Sequence, residues 1–439
     1  MKGPRIKPQV LKGFRDYPPE QMAARLAMMR TASEVFESFG FLPLETPVIE
    51  YSEVLLGKYG EEGEKQFYRF PDHGGRDVCL RFDLTVPLAR YVAMNRDLPR
   101  PFKRYQMGTV FRGEHPKKGR FREFVQCDVD IVGTRSLTAD AECIAVGTTL
   151  LTRVGVPEHV IRVNHRGILN ALFHTVGIDD MGQVTRTFRT LDKLEKVGED
   201  EVRRALADEV GLSATATDRV FGLLSIRGPH ADVLAKLREF FENEAENLGG
   251  VTALEELLSH LRAFGVPPER VEVDLGIARG IDYYTGVVYE TALSGRPEFG
   301  SIMSGGRYDH LIELMAGEEI PAVGISMGLD RLVAALVESG AILGTGNPTR
   351  VLVVAFGSAG FPAAQAIAGR VRAAGINAEV SHEIQKVGAQ FKYADRKGIP
   401  YVLTEGDDER ARGVVKLKDL KAQSERETTL PEAIAALQS

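Results

Sequence analysis

The chain has 439 residues, 44% of them apolar and 26% charged, with a net charge of −6. That is enough for two or three domains with sizeable cores, and it gives no global attraction to nucleic acid. The longest apolar runs, such as Val351 to Phe356, fall far short of the ~20 residues of a membrane helix, and the opening MKGPRIKPQV has no apolar stretch, so neither a membrane span nor a signal peptide is expected. Cys79, Cys127 and Cys143 form no CxxC pair. They support neither a zinc knuckle nor a disulfide framework and fit packing thiols in a reducing cytoplasm.

Taken in chain order, residues 19–39 read as a helix, with Met22, Leu26, Met29, Ala32, Val35 and Phe36 at helical spacing and Gly40 as a stop. Leu42 to Ile49 reads as an extended segment whose Pro43 and Pro47 suit an edge or turn. Phe102 to Phe111 and Phe121 to Val132 are strand candidates joined by the Gly-, Pro- and Lys-rich RGEHPKKGR, which predicts a long antiparallel hairpin. Between 180 and 265 the pattern becomes helical. Val202, Ala205, Leu206 and Val210 share one face, as do Leu234, Leu237, Phe240 and Phe241, and Leu254, Leu257, Leu258 and Leu261. Strand-like VEVDL and GVVYET follow, then the Gly-rich turn SGGRYD and a helix after AVGISMGLDR. SGAILGTGNPTR reads as a linker. Beyond it VLVVAF, FPAAQAIAGRVRAAG, INAEVS, a helix around 386–397, IPYVLTEG and VVKLKDL alternate as in a small α/β domain with a partly parallel sheet.

No GxxxxGK[ST] loop and no strand-linked GxGxxG appear, so the common nucleotide-binding folds are not announced. Arginines stand out instead: Arg112 ends a strand, Arg279 sits in ARGIDYYTG and Arg331 follows GLD. A guanidinium is always charged and offers a rigid fork to carboxylate or phosphate, so three of them on a sheet can cradle a polyphosphate. Each alone also fits an ordinary structural ion pair. Residues 100 to 122 hold eight Lys/Arg against Glu114, which suits either a solvated face or a phosphate-binding one.

Several motifs then appear together in order. FKRYQMGTVFRGEHPKKGRFREFVQCDVDIVG resembles motif 2 of class II aminoacyl-tRNA synthetases, AVGISMGLDRL resembles their motif 3, and Pro19 to Pro47 resembles motif 1. RGIDYYTG is similar to the signature of the histidyl-tRNA synthetases, SGGRYDHLI to its companion, and KGFRDYPPE to that family's N-terminal segment. The resemblance covers essentially the whole chain. It implies an α+β fold: an antiparallel sheet flanked by helices within residues 1–340, interrupted by a helical insertion at about 175–265, then a linker at 341–350 and an α/β anticodon-binding domain over 351–439.

The resemblance also implies roles. Asp83 and Thr85 of RFDLT match the segment that binds the substrate amino group, in an Asp-Leu-Thr form where many bacterial members carry Pro-Glu-Gly-Thr. Arg112 matches the motif 2 arginine on the α-phosphate and substrate carboxylate, Arg279 the family's own catalytic arginine, and Arg331 the motif 3 arginine on the ATP tail. Gln126, Asp130, Tyr283 and Tyr284 match histidine-pocket positions, with Asp130 expected to accept the ring N–H. On a strand, adjacent residues face opposite ways, so only one of the two tyrosines, Tyr284, is expected against the ring. Lys117, Lys118, Arg120 and Arg122 match the loop that approaches the tRNA acceptor end. On the 386–397 helix, Lys386, Lys392, Arg396 and Lys397, with Phe391 and Tyr393, suit unstacked anticodon bases or a packed helix with solvated lysines. The substrates implied are ATP with Mg²⁺, L-histidine and tRNA(His), and motif 1 implies a homodimer. The metal ligands are not identified.

Two other readings share these motifs. A paralogous family serves as the histidine-binding regulatory subunit of ATP phosphoribosyltransferase, but it typically lacks the last domain and degrades the RGIDYYTG arginine. Class II synthetases for threonine or proline share the last domain type, but RGIDYYTG argues against them.

Overall fold

The computed structural model describes residues 6–59, 63–116, 119–156, 158–277, 283–338, 347–358, 360–382 and 386–438. The chain divides into two compact units, Met1–Tyr17 with Arg25–Ala341 and Pro18–Ala24 with Ile342–Ser439.

The larger unit is built on a sheet that contains, among the described residues, eight strands. In spatial order these are Leu42–Pro43, Phe102–Phe111, Glu123–Val132, Ala322–Gly328, Ser301–Arg307, Val287–Leu293, His159–His165 and Val271–Val273. The six inner strands run antiparallel to their neighbours and each outer strand joins in parallel. The expected hairpin is the spine of this sheet, its second strand starting at Glu123 rather than 121.

Period-two alternation explains the composition of QCDVDIV. Gln126, Asp128 and Asp130 share a face with Gly108, Gln106 and Arg104, their cross-strand partners. Cys127, Val129 and Ile131 point to the other face and are buried. That apolar face is covered by the helix Leu137–Arg153, whose Cys143 thiol reaches the Val323 carbonyl at 3.9 Å. Ser136 caps the helix by accepting from the Thr138 N–H. All three cysteines are buried and free, and burial pushes their thiols up, as expected of packing groups.

The first helix, Pro19–Ser38, differs from its predicted face. Met28, Ala32, Val35 and Phe36 are buried, while Leu26 is 50% exposed. Its neighbour Arg25 turns inward instead, toward the buried carboxylate of Asp330. The helices between Met181 and Ala263 do bury the anticipated leucines and valines; Ala205 and Phe240 are only partly covered.

The smaller unit holds a sheet with the order Ala378–Val380, Val351–Val354, Tyr401–Thr404, Val415–Asp419, Ser424–Thr428, parallel among the first three strands and antiparallel after them. The unbroken apolar run VLVV has a direct cause. Val351 and Val353 enter one core with Ile367, Val371 and Leu417, while Leu352 and Val354 enter another with Ala394 and Ile399. A strand covered on both faces has no polar side. Among the described residues no helix is long and apolar enough to cross a membrane.

Candidate active site

A cleft of about 770 Å³ lies on the polar face of the large sheet, lined among others by Asp83, Thr85, Arg112, Glu114, Arg120, Gln126, Tyr283, Tyr284, Glu290 and Arg331. These residues come from segments more than two hundred positions apart. Arg279, Lys117 and Lys118 lie outside the described residues. The residues flanking the first gap, Ile277 and Tyr283, both line the cleft.

At one end stand the cations. Arg112 leaves the hairpin strand, and its Nε donates to the Phe82 carbonyl at 3.1 Å. Its guanidinium carbon lies 4.5 Å from the centre of the Phe82 ring and 5.2 Å from that of Phe124. Two aromatic faces and one carbonyl thus fix the fork without neutralising it. Arg331 follows the last inner strand in the first turn of the helix Leu329–Glu338 and donates to the Ser301 carbonyl. Burial, together with repulsion from Arg120 and Arg112 and opposed by Glu114, lowers it to about 10, so it stays charged at neutral pH.

Beside Arg112, whose charge it feels, stands a carboxylate framed by phenols. Asp83 is buried, and its Oδ1 accepts from the N–H groups of Thr85 (3.1 Å) and Val86 (3.0 Å) at the start of the helix Thr85–Met94. Burial raises its pKa, while those N–H groups and Arg112 work against the rise. The Tyr283 hydroxyl donates to Asp83 Oδ2 at 3.5 Å. Tyr283 and Tyr284 meet edge to face at 5.2 Å, and both line the cleft. Strand alternation, the ground for expecting Tyr284 alone against the ring, does not apply to this pair, which precedes the strand Val287–Leu293.

Gln126 lines the cleft, and its amide donates to the Ser326 hydroxyl at 2.6 Å. Its buried Oε1 has no hydrogen-bond partner among the described residues. Asp130 departs from expectation. It is buried behind the cleft wall, where it pairs with the fully buried Arg104 at 2.8 Å and accepts from the Tyr308 hydroxyl. The basic stretch also splits. Arg120 lines the cleft, but Arg122 spends its donors on the carbonyls of Glu114 (3.1 Å) and Lys12 (3.3 Å). Lys103 pairs with Glu142 at 2.7 Å. On the helix Val387–Arg396, Lys386, Lys392 and Arg396 are exposed near it, whereas Lys397 and Tyr393 are both engaged by Glu379.

Sequence reading did not single out Asp128, although the alternation of QCDVDIV places it on the cleft side. Burial lifts its pKa to about 7; Arg104 and Ser326 oppose the rise, while Asp130 and Asp83 add to it. The folded chain therefore retains a proton there between about pH 4 and about pH 7 that the unfolded chain has lost. Stability attached to this group is present at low pH and falls as pH rises through that window. Asp128→Asn removes the penalty. Its melting temperature is expected to gain on the parent's between about pH 5 and about pH 8, and a constant difference across that range would show that Asp128 titrates normally.

An antiparallel sheet with a cleft on one face, arginines supplied by a central hairpin and by the last strand–helix junction, and helices inserted between them is the catalytic architecture of a class II aminoacyl-tRNA synthetase. Residues 13–332 match the family described as histidyl-tRNA synthetase, and residues 350–439 match the anticodon binding domain. The chain is 42% identical to the histidine–tRNA ligase of Rhodopirellula baltica, over 96% of this chain and 95% of that protein. It is 41% identical to that of Wolinella succinogenes, over 98% of each. The crystal structure of histidyl-tRNA synthetase from Nostoc sp. PCC 7120 superposes with a TM-score of 0.87 at 37% identity, covering 99% of both chains. The chain belongs to the histidyl-tRNA synthetase family.

Proposed function

We propose that this cleft joins L-histidine to ATP, releasing pyrophosphate, and then passes the histidyl group to the 3′ end of tRNA(His). The observation that carries the reading is the convergence of Arg112 and Arg331 on one cleft that ends at Asp83 and the two tyrosines.

The chemistry follows from charge. The histidine carboxylate attacks the α-phosphorus of ATP, and both partners are anions. Positive forks that hold them in line offset that repulsion and stabilise charge on the phosphoryl oxygens. Arg112 takes the α-phosphate and carboxylate, a role Arg279 shares, and Arg331 takes the β/γ end. Asp83, with Thr85, receives the substrate ammonium, a cation that relieves the cost of burying its carboxylate. Neutral imidazole offers one donor and one acceptor. Tyr284 hydroxyl donates to one ring nitrogen, and Gln126 Oε1 accepts from the other. Asp130 serves the pocket from behind, through Tyr308. A site built for such pairing rejects an apolar analogue by ~10⁴-fold or more, because its own groups would be left unpaired.

Mg²⁺ prefers oxygen ligands and takes one or two carboxylates alongside phosphate oxygens. Glu114 and Glu290 line the cleft within electrostatic reach of Arg331, so the residues present fit such an ion. Bound there, it neutralises charge along the polyphosphate. Arg120, with Lys117 and Lys118, meets acceptor-end phosphates while Arg122 braces the loop, and residues 351–439 meet the anticodon through Lys386, Lys392 and Arg396. The KM for tRNA is then expected to rise steeply with salt. Residues 1–340 are the catalytic domain, with its insertion at about 175–265, and 341–350 link it to the anticodon-binding domain. The exposed side chains of Leu26, Leu42, Val48, Ile49 and Tyr51 support a homodimer, and the free thiols support a cytoplasmic site.

ATP–pyrophosphate exchange across a panel of amino acids tests the reading. Exchange with histidine alone is expected. Exchange with threonine or proline instead, or with none, overturns it.

A further inference from the structure

We propose that Asp330 is a positioning residue, and that the segment 12–17 anchored on it is a strap that holds the nucleotide end of the cleft. The proposal rests on the function given above.

One buried carboxylate gathers four partners. Asp330 Oδ1 accepts from Arg15 Nη2 at 2.6 Å, from the Tyr17 hydroxyl at 2.6 Å, and from Arg25. Its Oδ2 accepts from the Val125 N–H at 2.8 Å. Asp330 itself is only 2% exposed and lines the cleft. Rings interleave the cations: the Arg15 guanidinium lies 3.6 Å from the centre of Phe121, another cleft residue, and Arg25 lies 3.9 Å from that of Tyr17.

The strap is tied independently at its other end. The Arg122 N–H donates to the Gly13 carbonyl at 2.9 Å, and Arg122 Nη1 donates to the Lys12 carbonyl at 3.3 Å. Gly13 has a φ of 89°, and a Cβ there would come within 2.7 Å of the Arg122 side chain. Only glycine meets both conditions without a shift. Residues 12–17 thus run between the hairpin loop and the first turn of the helix that bears Arg331. None of them lines the cleft.

This arrangement needs the charge of Asp330 more than its shape. Two guanidinium groups, one of them almost fully buried, converge on a single carboxylate. An amide in its place leaves them facing each other. The neighbouring Arg331 and the Phe121 wall then lose their fixed position, and both belong to the ATP end.

Steady-state pyrophosphate exchange reads this directly. Asp330→Asn is expected to lower kcat/KM for ATP about ten- to a hundredfold, the scale of a lost hydrogen bond to a charged group. Because that variant also risks the fold, Tyr17→Phe and Arg15→Ala are measured beside it. Arg15 is 28% exposed, and Tyr17→Phe removes a single hydroxyl. Each is expected to raise the KM for ATP several-fold while the KM for histidine and the titrated fraction of active sites hold. Tyr17→Phe placed on Asp330→Asn should add nothing. An unchanged KM for ATP in both single variants, equal rises for ATP and histidine, or additivity in the double variant would overturn the proposal. Absence of histidine-dependent exchange in the parent chain would instead strike at the function it rests on.

Discussion

Arg112→Ala is expected to lower histidine-dependent pyrophosphate exchange by about 10²- to 10³-fold, the scale of one lost transition-state donor, while the chain stays folded. The two halves of this expectation come from the same geometry. The guanidinium is held by two ring faces and by one hydrogen bond to the Phe82 carbonyl. Among the described residues it has no salt-bridging carboxylate at hydrogen-bond range that the mutation would strand. After truncation the Phe82 carbonyl opens onto the cleft and accepts from water, so the stability cost stays near 1 kcal/mol. Arg112→Lys keeps the charge and loses the fork, so its rate should fall between the two. A melting curve and an exchange assay on both variants decide the matter. Exchange within a few-fold of the parent's in Arg112→Ala would remove Arg112 from the chemistry.

How much of this was legible in the residues depends on range. The hairpin 102–132 announced itself because both strands and the Gly/Pro loop are contiguous and alternate with period two. The inserted helices did so because each buries its own stripe of leucines and valines. The cleft arginines at 112 and 331 were visible as motif residues, and chain distance did not hide them because the resemblance supplied it. Pairings across the fold were different. Nothing near Asp130 in sequence says that Arg104 occupies one of its oxygens and Tyr308 the other. Its partners follow only from sheet register and from a turn far downstream. The first helix buries Ala32, Val35 and Phe36 as expected, and departs at Leu26 for the same reason. Arg25 is an interior residue because Asp330, roughly three hundred positions away, waits for it. Tyr283 and Tyr284 were given strand alternation that their turn does not have. Basic residues 100 to 122 looked like one patch, yet they serve as a core ion pair, a helix tether, a cleft cation and a loop brace.

Asp130→Ala is expected to hurt twice. Arg104 is fully buried, and Asp130 is its counter-charge at 2.8 Å. Removing one partner of such a pair leaves a cation in the interior and costs about 3–5 kcal/mol, visible as a clear drop in melting temperature. The second effect reaches the cleft that Asp130 does not touch. Its carboxylate holds the Tyr308 hydroxyl, the Tyr308 ring meets Tyr283 edge to face at 5.8 Å, and the Tyr283 hydroxyl reaches Asp83. Loosening the first link loosens the wall that places the histidine. The KM for histidine should therefore rise far more than the KM for ATP, because neither Arg112, held on Phe82, nor Arg331, held on the Ser301 carbonyl, hangs on this chain of contacts. Tyr308→Phe separates the two effects: it keeps the ion pair and the ring but breaks the tether, so it should raise the KM for histidine with little loss of melting temperature. Arg104→Met combined with Asp130→Leu does the reverse, restoring stability by removing both charges while leaving the tyrosine wall unsupported. If Asp130→Ala changed both KM values equally, Asp130 would be a core residue alone, and the histidine pocket would end at Gln126 and the tyrosines.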